Sequence, residues 1–211
     1  MKIIRRPFKY RYDNVVLVII GLNILVYLAE RFSRNMQVIT YLSMIPVAVL
    51  RGGWVWQFIT YMFVHDPRSI SHLVFNMFAL YIFGHQVERH MGSFEFLLYY
   101  FSTGILAGVF SFIMYIFTGN MYVTLMGESG AIFAVQLAFA AFFPNAVIYI
   151  WGLLPLRAPV MVLGFTAIEL FFMVTGLGGN VAHATHLAGF GFGWLYFLAR
   201  YGINPWRSMR R

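Results

Sequence analysis

Between Ser129 and Pro144 the chain holds an apolar run of awkward length. Ala131 to Phe143 carries no polar residue except Gln136, and Pro144 stops a helix there. The run opens with Met126-Gly127-Glu128-Ser129-Gly130, where an irregular stretch from Gly119 turns into helix. A helix from Ser129 to Phe143 is about 22 Å long at 1.5 Å per residue. A bilayer core is about 30 Å thick. Such a helix is too apolar to face water and too short to cross, so one of its ends lies inside a membrane. With Pro144 at the far interface, the buried end carries Ser129. A hydroxyl at a helix start within lipid is costly and calls for a reason.

The rest of the chain suits that setting. Of its 211 residues, 61% are apolar and 10% charged, against roughly 45–50% and 25% in soluble domains. The length accommodates about six spans and little else. Cysteine is absent, which excludes a disulfide framework, a thiolate nucleophile and a Cys-based metal site. The net charge of +8 could suggest nucleic acid, but the basic residues gather at the two ends: Lys2, Arg5, Arg6, Lys9 and Arg11, then Arg200, Arg207, Arg210 and Arg211. Basic ends on an apolar chain are topology determinants, so nucleic-acid binding is set aside. The first apolar run is followed by Glu30, Arg31 and Arg34 without a small-residue cleavage site. It is expected to be a retained span and not a removed signal peptide.

In chain order, residues 1–13 form a basic cytoplasmic arm, residues 14–200 an all-α membrane domain, and residues 201–211 a basic cytoplasmic tail. The first span runs from Asn14 to about Phe32. The segment from Ser33 to Ile70 has an apolar stretch too short for a confident crossing, contains Pro46, and carries Trp54, Trp56, Tyr61 and Phe63. It is read as interfacial or re-entrant with an aromatic belt. Ser71 to about Val87 is the second span, closed by Glu88, Arg89 and His90. Ser93 to Thr118 is the third, with Gly104 and Gly108 spaced for close helix packing. The serine helix is the short fourth, Pro144 to Ala158 a connection, Pro159 to about Val174 the fifth, and Val181 to Ala199 the sixth. The turn Gly176-Leu177-Gly178-Gly179-Asn180 lacks the Lys of a phosphate loop. Six crossings put both termini on one side, with eleven Lys and Arg there against four opposite. That bias predicts that both ends are cytoplasmic in a multi-pass protein; a bacterial inner (plasma) membrane is the expected location.

Several polar residues inside the spans converge on one depth. Ser129 and His186 each lie about 21 Å from the cytoplasmic side, and His72 and Asn76 about 24 and 18 Å. His72 and Asn76 are four apart and share a helix face. A serine needs an adjacent base, and His is the usual one. An acyl-transfer intermediate needs donors aimed at its oxyanion, which Asn76, His72 and the Ser129 backbone N–H can supply, aided by the positive helix end. Each feature has a plainer reading. A lone Gly-x-Ser-Gly is a packing pattern, a lone His a packing or relay group, and Gly189 with Gly193 a GxxxG contact. Those two glycines also let the sixth helix approach the fourth closely enough for His186 to reach Ser129. Phe133 faces the same way as Ser129 and can pack under the imidazole. Glu128 is expected to face the cavity or cap the helix, His183 to line the cavity, and Glu169 to be paired internally.

These residues resemble the rhomboid intramembrane serine proteases, over most of the chain from about Trp54 to Arg200. Gly127-Glu128-Ser129-Gly130 looks like the family's GxSG, which implies Ser129 as nucleophile. His186-Leu187-Ala188-Gly189 with Gly193 resembles the sixth-helix motif, which implies His186 as general base. His72-Leu73-Val74-Phe75-Asn76 is similar to the HxxxN of the oxyanion hole, Glu88 to Ser93 looks like ExxxGS, and Phe133 resembles the aromatic stacked on the base. Where many members have Trp-Arg in the first loop, Trp56 is followed here by Gln57, which bears on loop anchoring and leaves the dyad untouched. The resemblance implies a six-helix serine endopeptidase with a Ser129–His186 dyad, no required third acid and no cofactor or metal. Its substrates would be single transmembrane helices, cut near their outer ends at small residues in segments that unwind, entering past the second and fifth helices. Two rival readings are an intramembrane metalloenzyme using His72, His183 and His186, though no HExxH is present, and a non-catalytic relative that captures transmembrane helices.

Overall fold

A computed structural model describes residues 8–33, 36–150, 152–177 and 182–210. The described chain is mostly helical. Helix α1 spans Val15–Ser33; three short helices follow, α2 (Met36–Leu42), α3 (Pro46–Gly52) and α4 (Gln57–Thr60). Helices α5 (Ile70–Ala79) and α6 (His85–Met91) are joined without a break by a π-helical turn at Leu80–Gly84. Then come α7 (Ser93–Phe117), α8 (Ser129–Phe142), strands β1 (Val147–Ile150) and β2 (Leu154–Arg157), α9 (Ala158–Thr175), α10 (His183–Tyr196) and α11 (Pro205–Met209). Among the described residues, α1, α7 and α9 are long and apolar enough to cross a membrane. The stretches expected as the second and sixth spans hold α5–α6 and α10 with its π-helical extension Phe197–Tyr201, and Val181, the expected start of the sixth, lies outside the described residues. Of the expected glycine-rich turn, Gly176 and Leu177 are described, and Gly178 to Asn180 lie outside the described residues.

Helix α8 is the axis of the packing. From Gly130 to Ala141 every residue except Phe133 is buried. Its Ala-rich sequence presents small side chains, so neighbours approach closely. A Cβ at Gly189 of α10 would land on the Gly130 carbonyl, and one at Gly193 would meet Ala134 at 3.0–3.1 Å. Glycine at these two places is a steric requirement. Tyr99 of α7 donates to the Ala134 carbonyl at 2.5 Å, tying a third helix to the same point.

Of the α7 glycines expected to allow close helix packing, Gly104 lies against Ala131 of α8, and both glycines also serve a second purpose. A Cβ at Gly104 would strike Met62, and one at Gly108 would strike Tyr61 at 2.7 Å. Both notches therefore receive side chains of the segment after α4, and Tyr61 donates to the Gly104 carbonyl at 2.7 Å. That segment is anchored through Gln57, whose amide donates to the carbonyls of Thr40 and Tyr41 and accepts from the Ile45 N–H at 3.0 Å. Gln57 thus supplies the loop anchoring that its departure from Trp-Arg put in question. The anchored loop in turn meets the entry to α8, where Gly127 N–H donates to Tyr61 carbonyl and Met44 pairs with Leu125.

At the other end of the molecule Glu88 closes α1. Its carboxylate accepts from the backbone N–H groups of Val15 (2.8 Å) and Val16 (3.1 Å) and from the Ser93 hydroxyl (2.6 Å). These are orphan donors at a helix start, which a carboxylate satisfies well. The segment Pro144 to Ala158, expected as a plain connection, instead contains the antiparallel pair β1–β2, with Tyr149 opposite Pro155.

Candidate functional site

Ser129 is the first residue of α8, and the chain reaches it through Gly127 at φ 95°, a conformation that favours glycine. A Cβ at Gly127 would also press on His72 at 2.9 Å. The tight turn thus brings the start of α8 against α5. From the opposite side, the Gly130–Gly189 contact brings α10 against α8. The result is a 2.7 Å hydrogen bond between Ser129 Oγ and His186 Nε2, joining positions 57 residues apart. The Phe133 ring, one turn along α8, stacks on the imidazole with centroids 4.8 Å apart and planes at 8°. The stack fixes the ring plane while leaving both nitrogens free to bond.

His72 and Asn76 lie on one face of α5, beside Gly127. The Asn76 amide Nδ2 is 3.1 Å from His65 Nε2. A cavity of about 390 Å³ opens between α5, α8, the β-hairpin and α9, and it is lined by Asn76, Ser129, Phe133, Gln136, Phe165 and Glu169 among others. Ser129 and Asn76 therefore share the wall of one cavity. Residues 52–202 match the family described as Rhomboid domain. The chain belongs to the rhomboid family.

Three named relatives illustrate the kinship of this rhomboid. It is 28% identical to "Rhomboid protease AarA" of Providencia stuartii, over 83% of this chain and 68% of that protein. It is 28% identical to "Rhomboid protease GlpG" of Photorhabdus laumondii, over 87% of this chain and 60% of that protein. With "Rhomboid protease GlpG" of Haemophilus influenzae it shares 27% identity, over 62% of this chain and 63% of that protein. The rhomboid chain thus spans about three-fifths to two-thirds of the length of these relatives. Rhomboids are integral membrane proteins, in keeping with the apolar helices α1, α7 and α9.

One group in this rhomboid sits elsewhere than the sequence suggested, beside a histidine for which there was no sequence expectation. Glu128 neither lines the cavity nor caps α8: its side chain is fully buried and lies 3.2 Å from His65 Nε2. His65, which sequence reading passed over, is also fully buried, in the loop before α5. Burial alone would lower the His65 pKa, but the Glu128 carboxylate, the Phe63 backbone and the Glu30 charge together outweigh it and leave the group above its ordinary value. His65 thereby links Glu128, the residue before Ser129, to Asn76. A histidine within a few residues of His72 was the available signal, but nothing in its spacing placed it on a helix face.

Glu169 is paired internally, as expected, and its partners are histidines of α10. Its Oε2 lies 2.5 Å from His183 Nδ1 and 3.0 Å from His186 Nδ1. His183 is buried, lines a second cavity of about 250 Å³ with Ser111 and Phe172, and holds this carboxylate as well. Glu169, His183 and His186 place their ligand atoms within 4.8 Å of one another. The metal reading named His72 with His183 and His186; in the cluster that forms, Glu169 stands in place of His72.

Proposed function

We propose that this rhomboid is an intramembrane serine endopeptidase that hydrolyses peptide bonds in or near transmembrane helices of membrane-protein substrates. The observation that carries the reading is the 2.7 Å contact between Ser129 Oγ and His186 Nε2 at the wall of a cavity. A neutral His186 accepts the Ser129 proton on Nε2 as Oγ attacks the substrate carbonyl carbon. The oxyanion that forms is met by the Ser129 N–H, Asn76 and His72, with the positive end of α8 behind them. His186 then gives its proton to the departing amine nitrogen and the C–N bond breaks. Water, activated by the same imidazole, hydrolyses the acyl-enzyme. No cofactor takes part in these steps.

The proposal includes six crossings, with α8 as the short fourth, in a membrane domain of residues 14–200 between a basic arm and a basic tail. Both ends are cytoplasmic in a multi-pass protein of the bacterial inner membrane. The substrate enters from the lipid between α5 and α9, where the cavity lies, and must unwind locally, because a helical carbonyl is already bonded. Small residues near its outer end suit a cavity walled by Phe133 and Phe165.

The test is cleavage of a model transmembrane substrate by purified protein in detergent. Ser129→Ala and His186→Ala should each lower turnover by at least about a thousandfold, the scale on which serine–base pairs act. Parent-rate cleavage by either variant would sink the dyad.

A further inference from the structure

His186 uses one ring nitrogen on Ser129, and the other faces a carboxylate from a different helix. Glu169 Oε2 lies 3.0 Å from His186 Nδ1, and the side chains are 14% and 12% exposed. The contact is close in distance but not aligned as a hydrogen bond in the resting geometry, and His186 Nδ1 makes no other hydrogen bond. Hydrogen bonds to a catalytic base are often loose at rest and tighten as charge develops. With Nε2 accepting from Ser129, the Nδ1 position carries the proton and points toward Oε2. The same oxygen is held at 2.5 Å by His183 Nδ1, one turn away on α10, so the carboxylate is fixed beside the base.

We propose that Glu169 is a positioning residue for His186, so that this chain works with a Ser129–His186–Glu169 triad, its acid supplied from α9. The inference rests on the serine-protease reading above. As Ser129 Oγ bonds to the substrate carbonyl carbon, its proton moves to His186 Nε2 and the ring becomes imidazolium. Glu169 stays ionised throughout, takes no proton, and stabilises that cation while holding the Nδ1–H tautomer. In a site walled by apolar helices an uncompensated imidazolium is costly, and no other carboxylate contacts this ring among the described residues. The remaining titratable neighbours of His186 are Ser129 on α8, His183 on its own helix and His72 on α5. None of them carries negative charge in the resting state.

The arrangement also ties the base to the mobility of a helix. Among α9 residues, burial is confined to Ala158, Pro159, Met161 and Val162 at its start, and the half carrying Glu169 meets α10 through this carboxylate and through the Phe172 ring packed on His183.

The experiment compares the parent with Glu169→Gln and Glu169→Asp in detergent, measuring kcat and KM, with Ser129→Ala as the blank. Losing the triad carboxylate costs about ten-thousandfold where it is fully engaged. Here Glu169→Gln should lower kcat by roughly ten- to a thousandfold with KM little changed. Glu169→Asp, which keeps the carboxylate, should recover part of kcat. An unchanged or raised kcat in Glu169→Gln overturns the inference. So does a fall in kcat accompanied by a changed KM and a lower melting temperature with no recovery in Glu169→Asp, which marks a purely structural role. Failure of the serine reading itself would look different, with Ser129→Ala still active.

Discussion

Gly189 has no room for a methyl group, because a Cβ there would fall on the Gly130 carbonyl. The clash is with backbone, which cannot rotate aside as a flexible side chain can. Gly189→Ala must therefore push α10 off α8, and the same displacement lengthens the Ser129–His186 contact. Overpacking of this kind costs about 1–3 kcal/mol, and a misplacement near 1 Å can cost about a hundredfold in rate. The variant should fold with a lower melting temperature and lose at least tenfold in cleavage of the model substrate. Full activity with parent stability would show that the helices can part without affecting the pair. His65 and Glu128 belong to this scale as well. Glu128 occupies the variable position of the Gly-x-Ser-Gly pattern, and its burial against His65 extends the polar contacts from Asn76 to the residue beside the nucleophile.

Between elements, one carboxylate joins three helices. Glu88 accepts from the first N–H groups of α1 and from Ser93 at the head of α7, while itself sitting in α6. Glu88→Ala would leave two backbone donors and a hydroxyl without their acceptor. Buried donors stripped of a partner cost about 1–3 kcal/mol each when water cannot replace it. The expected result is a stability loss of about 2–4 kcal/mol, read by denaturant titration in mild detergent. Cleavage by the folded fraction should stay near parent level, because α6 meets α8 at Phe142, the end opposite Ser129. The β1–β2 hairpin is the element that sequence reading did not foresee. Strands are recognised by alternating apolar and polar residues, and in Val147–Ile150 every residue is apolar or aromatic, so the alternation is invisible. The π-helical turns at Leu80–Gly84 and Phe197–Tyr201 were hidden for a related reason, since a one-residue insertion leaves no mark on a largely apolar helix.

Across the whole molecule, large apolar side chains cover the outside of α1 and α9, including Leu25, Phe32, Phe171 and Val174. An exposed apolar belt of this size belongs against lipid. Under the proposed six crossings, eleven Lys and Arg fall on the side of both ends and four on the other, which predicts cytoplasmic termini. Reporter fusions check this directly. One attached after Arg211 should give a cytoplasmic signal, and one inserted in the loop near Arg51 an external one. Opposite signals at these two sites would invert the topology and place Ser129 nearer the cytoplasm.

Run lengths, the proline after Phe143, and the placement of Ser129, His72, Asn76 and His186 at similar depth are properties of the linear chain. They follow from a fixed rise per residue and from the cost of polar groups in lipid. The sequence alone therefore determined a helical membrane protein and the residues eligible for its chemistry. Which of them touch was decided only by the packed structure. The Ser129–His186 bond, the Glu169 carboxylate beside His186 Nδ1 and the His65–Glu128 contact each join segments far apart in sequence. Helical periodicity fixes what shares a face on one helix, but the rotation and approach of one helix on another depend on steric fit. Here that fit is set by Gly130, Gly189 and Gly193, whose missing side chains allow two backbones to meet.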